Sequence, residues 1–242
     1  LISSKIKASS EAFIILKIIF MCANFKPITL EQVKQLELPL VSFAYEEEVY
    51  PSYKTPLLFK SEQGLVWREV LFGLVPKWAE DLNISKHTYN ARHETIFQKP
   101  SFQESAYKCK FGVIPVTEFY ESKYTNNKPQ RWAVKRKDGR AFYIAALYEI
   151  RKLNDKIIRS SAMLTMDAID HPMMKDFHEP GDVKRSVVVI PHEQLEEWLT
   201  LKQPYQLINF MNGFPVEEFE CLHVPKPKIE KITPQLNMFD LF

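Results

Sequence analysis

The sequence predicts an α+β fold, a single domain whose mixed, largely antiparallel, barrel-like β core is flanked by short helices. Three observations lead there. Runs rich in β-branched and aromatic residues recur along the chain without regular alternation with helical segments, which argues against a parallel α/β sheet. Helix-start signals are few and open only short stretches. Lys137-Asp138-Gly139-Arg140 reads as a hairpin turn, because Asp-Gly tolerates positive φ, and a hairpin implies antiparallel pairing.

From Met21 onward, Thr29 and Gln32 form a capping-box pair that opens a helix through about Leu38. Strands are expected over Phe43–Tyr50, Pro56–Lys60 and Leu65–Val75. Ser101 with Glu104 is a second capping box, for a helix through about Lys108. Phe111–Tyr120 is strand-like. Arg131–Arg136 and Ala141–Ile150 flank the Asp-Gly turn as the arms of its hairpin. Ile157–Met166 and Ser186–Ile190 complete the strands, with helices near Pro172–Phe177 and His192–Leu201. The segment after Pro225 is rich in Pro and Lys, so residues 226–242 are expected to form a flexible tail.

Residues 1–20 read poorly as globular sequence. Ala12 to Phe20 is apolar apart from Lys17, which is short of the roughly 20 apolar residues of a membrane span. A secretory signal fits the basic start, yet Met21 stands before Cys22 where a cleavage site wants a small residue. The favoured reading makes Met21 the initiator and residues 1–20 an upstream or removed extension, leaving residues 21–225 as the folded domain.

Composition narrows the function classes. With six glycines and neither a GxGxxG nor a GxxxxGK[ST] pattern, nucleotide-cradling loops lose their support. Net charge is only +2, but 32 Lys and Arg residues can still concentrate in a groove that binds nucleic acid. Cys22, Cys109 and Cys221 form no CxxC pair, which suits neither zinc nor a disulfide framework and points to a reducing cytoplasm.

Four segments carry candidate chemistry. Removal of Met21 gives Cys22 a free α-amine beside its thiol, with ordinary pKa values of about 7.7–8.0 and 8.5. Such a 1,2-aminothiol condenses with an aldehyde to an imine and closes to a thiazolidine, which an amide nitrogen cannot do. The bland alternative is one more small buried thiol. Tyr89-Asn90-Ala91-Arg92-His93-Glu94 gathers an amide, a guanidinium and a carboxylate, though polar clusters of this kind are usually solvated loops. In the apolar run Phe111–Glu121, burial of the closing carboxylate suits it to acid–base work, against a plain strand-end glutamate. His178 follows a short helix and precedes Lys184-Arg185. A lone histidine is more often structural, but it is also the side chain best poised for proton transfer near neutral pH.

In this order the segments resemble the SOS response-associated peptidase family of abasic-site-processing proteins. The resemblance rests on Met21-Cys22, Phe72-Gly73-Leu74-Val75-Pro76-Lys77-Trp78, Asn90-Ala91-Arg92-His93-Glu94, Ile114-Pro115 through Phe119-Tyr120-Glu121, Ala146-Leu147-Tyr148-Glu149, and the histidine before Lys184-Arg185. It implies Cys22 as covalent nucleophile and Asn90 positioning its amine or the opened sugar. Glu121 becomes the acid–base group, and His178 assists proton transfer at the sugar. Arg92 and Arg185 would grip DNA, while Trp78 and Pro51 wedge or stack against flanking bases. The implied partner is single-stranded DNA carrying an abasic site, bound by a monomer with no membrane attachment and no metal or organic cofactor. Ala23-Asn24 departs from the family's Gly-Arg, Glu118 from a glycine, Ser122 from a tryptophan and Ser186 from a methionine, which affects DNA grip more than covalent chemistry. Two rival readings are a thiol peptidase pairing Cys22 with His178, and a non-catalytic single-strand binding module.

Overall fold

The computed structural model describes residues 24–225. The expectations for residues 1–20, Cys22 and the 226–242 tail therefore lie outside the described residues. The chain starts with β1 (Asn24–Pro27) and α1 (Leu30–Gln35), then forms the hairpin of β2 (Lys54–Ser61) and β3 (Gly64–Phe72). After the short β4 (Asn90–Arg92) and α2 (Gln103–Tyr107) come four long strands, β5 (Phe111–Thr125), β6 (Lys128–Arg136), β7 (Phe142–Leu153) and β8 (Lys156–Asp167). The order closes with β9 (Arg185–Val187), β10 (Val189–Ile190), α3 (Leu195–Leu199) and β11 (Phe219–His223).

Hydrogen bonding runs β7–β8–β3–β2–β5 and returns from β5 to β7, so five strands close into a barrel. Only the contacts of β8 with β3 and with β4 are parallel. The fold is thus α+β with a mixed, largely antiparallel barrel. β5 organises it by dividing its length. Its first half, Phe111–Val116, pairs with β7, and its second half, Glu118–Thr125, pairs with β6.

The apolar runs look continuous because both faces of these strands are buried. Tyr143, Ala145 and Leu147 of β7 join one core, covered by α1, α2 and α3 through Val33, Ala106 and Trp198. The alternate residues Phe142, Ile144 and Ala146 join a second core with Phe25, Phe72 and Phe119. Among the described residues no helix is long and apolar enough to cross a membrane.

Several local expectations are corrected. Lys137–Arg140 does turn, with Gly139 at φ +73°, but β6 and β7 do not pair. Asp138 holds Arg136 and Arg140, and the turn carries the chain from one half of β5 to the other. The tight hairpins lie instead at Asn126-Asn127 and Asn154-Asp155, whose φ values of 51°, 59°, 47° and 61° are left-handed. Phe43–Tyr50 is irregular, its backbone pairing with a strand only where Val49 bridges Phe25. The Thr29–Gln32 capping box forms; that of Ser101 does not, because Phe102 caps α2 and Glu104 is drawn to Lys77 and Lys108. The expected helices at 172–177 and 192–201 shrink to 3-10 turns and the five-residue α3.

Candidate active site

The site begins where β1 meets the second half of β5. Asn24 stands opposite Tyr120, so the chain enters β1 one residue from Glu121. Glu121 itself faces Trp132 across the β5–β6 ladder and is buried. His178 comes from the loop after the 3-10 turn Met174–Asp176. Phe177 bridges Lys123, and the His178 amide donates to the Ser122 carbonyl at 2.7 Å. This docking turns the imidazole inward, and His178 Nε2 lies 3.4 Å from Glu121 Oε2. Neither ring nitrogen makes a hydrogen bond among the described residues.

A polar shell that the sequence did not reveal surrounds the start of β1. Asn24 Nδ2 donates to Glu48, which also accepts from Tyr50 Oη at 2.6 Å and from Arg131 Nη2 at 2.5 Å. The Arg131 guanidinium sits 3.3 Å from the Tyr120 ring centroid, a close cation–π stack. Burial, reinforced by Glu48, pushes the Tyr50 hydroxyl up to about 12, and burial also raises Tyr120, helped by its bond to Glu118. Both phenols therefore stay protonated as donors. No motif marks Glu48 or Arg131, since one lies in an irregular loop and the other on an ordinary strand.

Pro51 follows Tyr50 directly and is brought to this shell. The aromatic chain Phe25–Phe72–Tyr89, with ring centroids 5.1 and 5.8 Å apart, links β1 to the residue before Asn90. Asn90 and Arg92 are half-buried on β4, in register with Met163 and Thr165 of β8. Arg92 makes no ion pair among the described residues.

Trp78 projects from a turn and is 57% exposed, its indole N–H donating to the Pro100 carbonyl at 3.1 Å. Arg151 ties the same turn down through the carbonyls of Pro76 and Ala79. Gly73 aims the segment: its φ is +128°, and a Cβ there would lie 2.0 Å from the Ser85 carbonyl oxygen.

Arg185, expected as a DNA contact, is buried in this structure. Its side chain is 4% exposed and forms a fork with Glu94, at 2.7 and 2.8 Å, with a further bond to Thr165. Both terminal nitrogens of the guanidinium are thus committed to protein partners. Burial works against the Glu94 charge, but the Arg185 hydrogen bonds and charge outweigh it and hold the carboxyl at about 2. Cys109 and Cys221 are ordinary thiols, both raised by burial, Cys221 to about 11, so neither is a thiolate at neutral pH.

One feature lies away from the Glu121–His178 pair. A cleft of about 630 Å³ lies at the Arg136 end of β6, lined by Tyr143, His192 and Phe210, and contains none of the expected site residues. Among the described residues, no group of three or more His, Cys, Asp or Glu side chains could hold a metal ion.

Residues 21–230 match the SOS response associated peptidase (SRAP) family. The chain belongs to the SRAP family. Within it, the abasic site processing protein YoqW of Bacillus subtilis is 31% identical over 196 residues, covering 75% of this chain and 82% of that relative. The abasic site processing protein YoaM of the same organism is 31% identical over 159 residues, or 63% of this chain and 66% of YoaM. A crystal structure of a Bordetella bronchiseptica protein superposes with a TM-score of 0.79 at 24% identity, covering 84% of this chain and 99% of that one. One from Bacteroides thetaiotaomicron gives 0.70 at 20% identity, covering 85% and 93%. At these identities the two structures speak to the SRAP fold alone.

Proposed function

We propose that this SRAP protein processes abasic sites by capturing the ring-opened sugar aldehyde in single-stranded DNA, with Cys22 as its nucleophile. The observation that carries the reading is the buried Glu121–His178 pair at the mouth of β1. Two peptide units separate Cys22 from Asn24, which keeps its Cα within about 7 Å of the Asn24 Cα. Asn24 in turn stands opposite Tyr120, the neighbour of Glu121. The names of the Bacillus relatives support the same substrate.

The chemistry balances without an added reagent. The Cys22 amine attacks the aldehyde carbon, and the carbinolamine loses water to give an imine. Sulfur then adds to the imine carbon and the thiol proton ends on nitrogen, leaving a thiazolidine and one water. Glu121 supplies and takes back protons in these steps, a task for which a carboxyl in a water-poor site is suited. His178 serves proton transfer at the sugar oxygen, and Asn90 orients the amine or the opened sugar. Arg92 holds a phosphate beside the lesion, and Trp78 and Pro51 pack against flanking bases. Ring closure requires a free α-amine, so the Met21–Cys22 bond must be absent or cut, and an autopeptidase step is one source of that cut.

The test mixes protein beginning at Cys22 with a single-stranded oligonucleotide carrying one abasic site, followed by denaturing electrophoresis. A denaturation-resistant adduct is expected, absent with Cys22→Ala and with protein extended before Cys22. No adduct, or one that survives Cys22→Ala, overturns the reading.

A further inference from the structure

We infer that Lys184 is the positioning residue that holds His178 in its working orientation. The inference rests on the role proposed above for His178, but its geometry stands apart from that role.

His178 occupies the left-handed region, φ +67°, which is strained for a β-carbon-bearing residue and persists only where surrounding contacts enforce it. The Lys184 ammonium supplies those contacts. Nζ donates to the carbonyls of Phe177 at 2.7 Å, Glu179 at 3.2 Å and His178 at 3.4 Å. Three consecutive carbonyls thus converge on one cation, and the left-handed residue sits in the middle of the three. An ammonium presents three rotatable donors from a single point, which suits this convergence better than the planar fork of arginine.

Lys184 is itself anchored to the body of the fold. Its carbonyl accepts from the Ala168 amide at 3.0 Å, just past the end of β8, and the next residue is Arg185, forked onto Glu94. The side chain is therefore a strut running from the β8–β9 framework to the loop that carries His178. On the far side the loop rests on β5 through the His178 amide and the Phe177–Lys123 bridge. The His178 backbone is held between these two supports, with its imidazole facing Glu121. Lys184 touches no reacting atom in this scheme; it acts through His178.

The test uses the whole protein beginning at Cys22. In Lys184→Met the ring carbon–proton resonance of His178, assigned by its loss in His178→Gln, should shift. Adduct formation on an abasic oligonucleotide should slow about 10-fold or more, while affinity for the lesion-free oligonucleotide changes less than about 2-fold. If Lys184→Met fails to fold, Lys184→Gln, which is one atom shorter and carries no charge, takes its place with the same expectation. An unmoved His178 resonance overturns the strut in either variant. So does a normal adduct rate in a variant whose His178 resonance has moved, because orientation then does not matter. If wild type forms no adduct but the resonance moves, the proposed function fails and the strut stands.

Discussion

His178 Nε2 lies 3.4 Å from Glu121 Oε2, with the two side chains only 1% and 3% exposed. An acid and a base held this close with little water can exchange protons with a substrate in a directed way. Burial of such a pair costs folding energy unless charges or hydrogen bonds compensate, and the proposed function gives the pair proton-transfer work at the mouth of β1.

Glu121→Gln keeps the shape and removes the acid–base group. Single-turnover adduct formation should fall about 100-fold or more, the usual worth of a general acid–base catalyst, with lesion-free binding little changed. Equal rates for wild type and variant would remove Glu121 from the chemistry.

Gly73 predicts a structural effect of contrasting size. At φ +128°, with a Cβ meeting the backbone of Ser85 at 2.0 Å, Gly73→Ala forces main chain apart and should destabilise by about 3 kcal/mol or more. Gly139→Ala, at φ +73° with nothing near, should cost only about 1 kcal/mol. Urea denaturation of the two variants checks the difference.

The local signals were legible where a single segment contains both partners. Thr29 and Gln32 are three residues apart, and their capping box formed as expected. The Asp138-Gly139 turn was legible as a turn, but not which strand lies beside which, because the partner of both arms is β5. A turn motif reports backbone dihedrals and carries no information about a third strand. The site divides in the same way. Glu121 and His178 could be singled out by residue type and resemblance, yet their pairing depends on a loop docking onto Ser122. Glu48 and Arg131 stayed hidden, since ion pairs between a loop and a strand leave no spacing to read. Arg185 was legible as a basic residue but not as a buried one, because its partner Glu94 joins it only through the β4–β8–β9 pairing.

Glu94 gives the fold a measurable pH dependence. Its folded value of about 2 lies below the ordinary 4.5, so its stabilisation is fully present above pH 4.5 and is lost as pH falls toward 2. With the side chain 35% exposed, solvent screening leaves about 1–2 kcal/mol of it. Glu94→Gln should therefore be less stable than wild type at neutral pH, and the gap should shrink between pH 4.5 and 2. A gap that does not change with pH would show that the fork contributes by packing alone.

Arg92 and Arg185 should separate cleanly, although both are arginines near the same strands. Arg92 is half-buried with no ion pair among the described residues, so its charge is available to a phosphate. Neutralising one phosphate of a single strand changes the slope of log affinity against log salt by about 0.7, and Arg92→Ala should flatten the slope by that amount with little loss of stability. Arg185→Ala instead strands the Glu94 carboxylate and removes a half-buried fork. It should cost roughly 2–3 kcal/mol of folding stability, below the fully buried range because Glu94 is partly solvated. Its salt slope, measured on the folded fraction, should stay at the wild-type value. A flattened slope for Arg185→Ala would mean that the fork opens when DNA binds and that Arg185 exchanges its carboxylate for a phosphate.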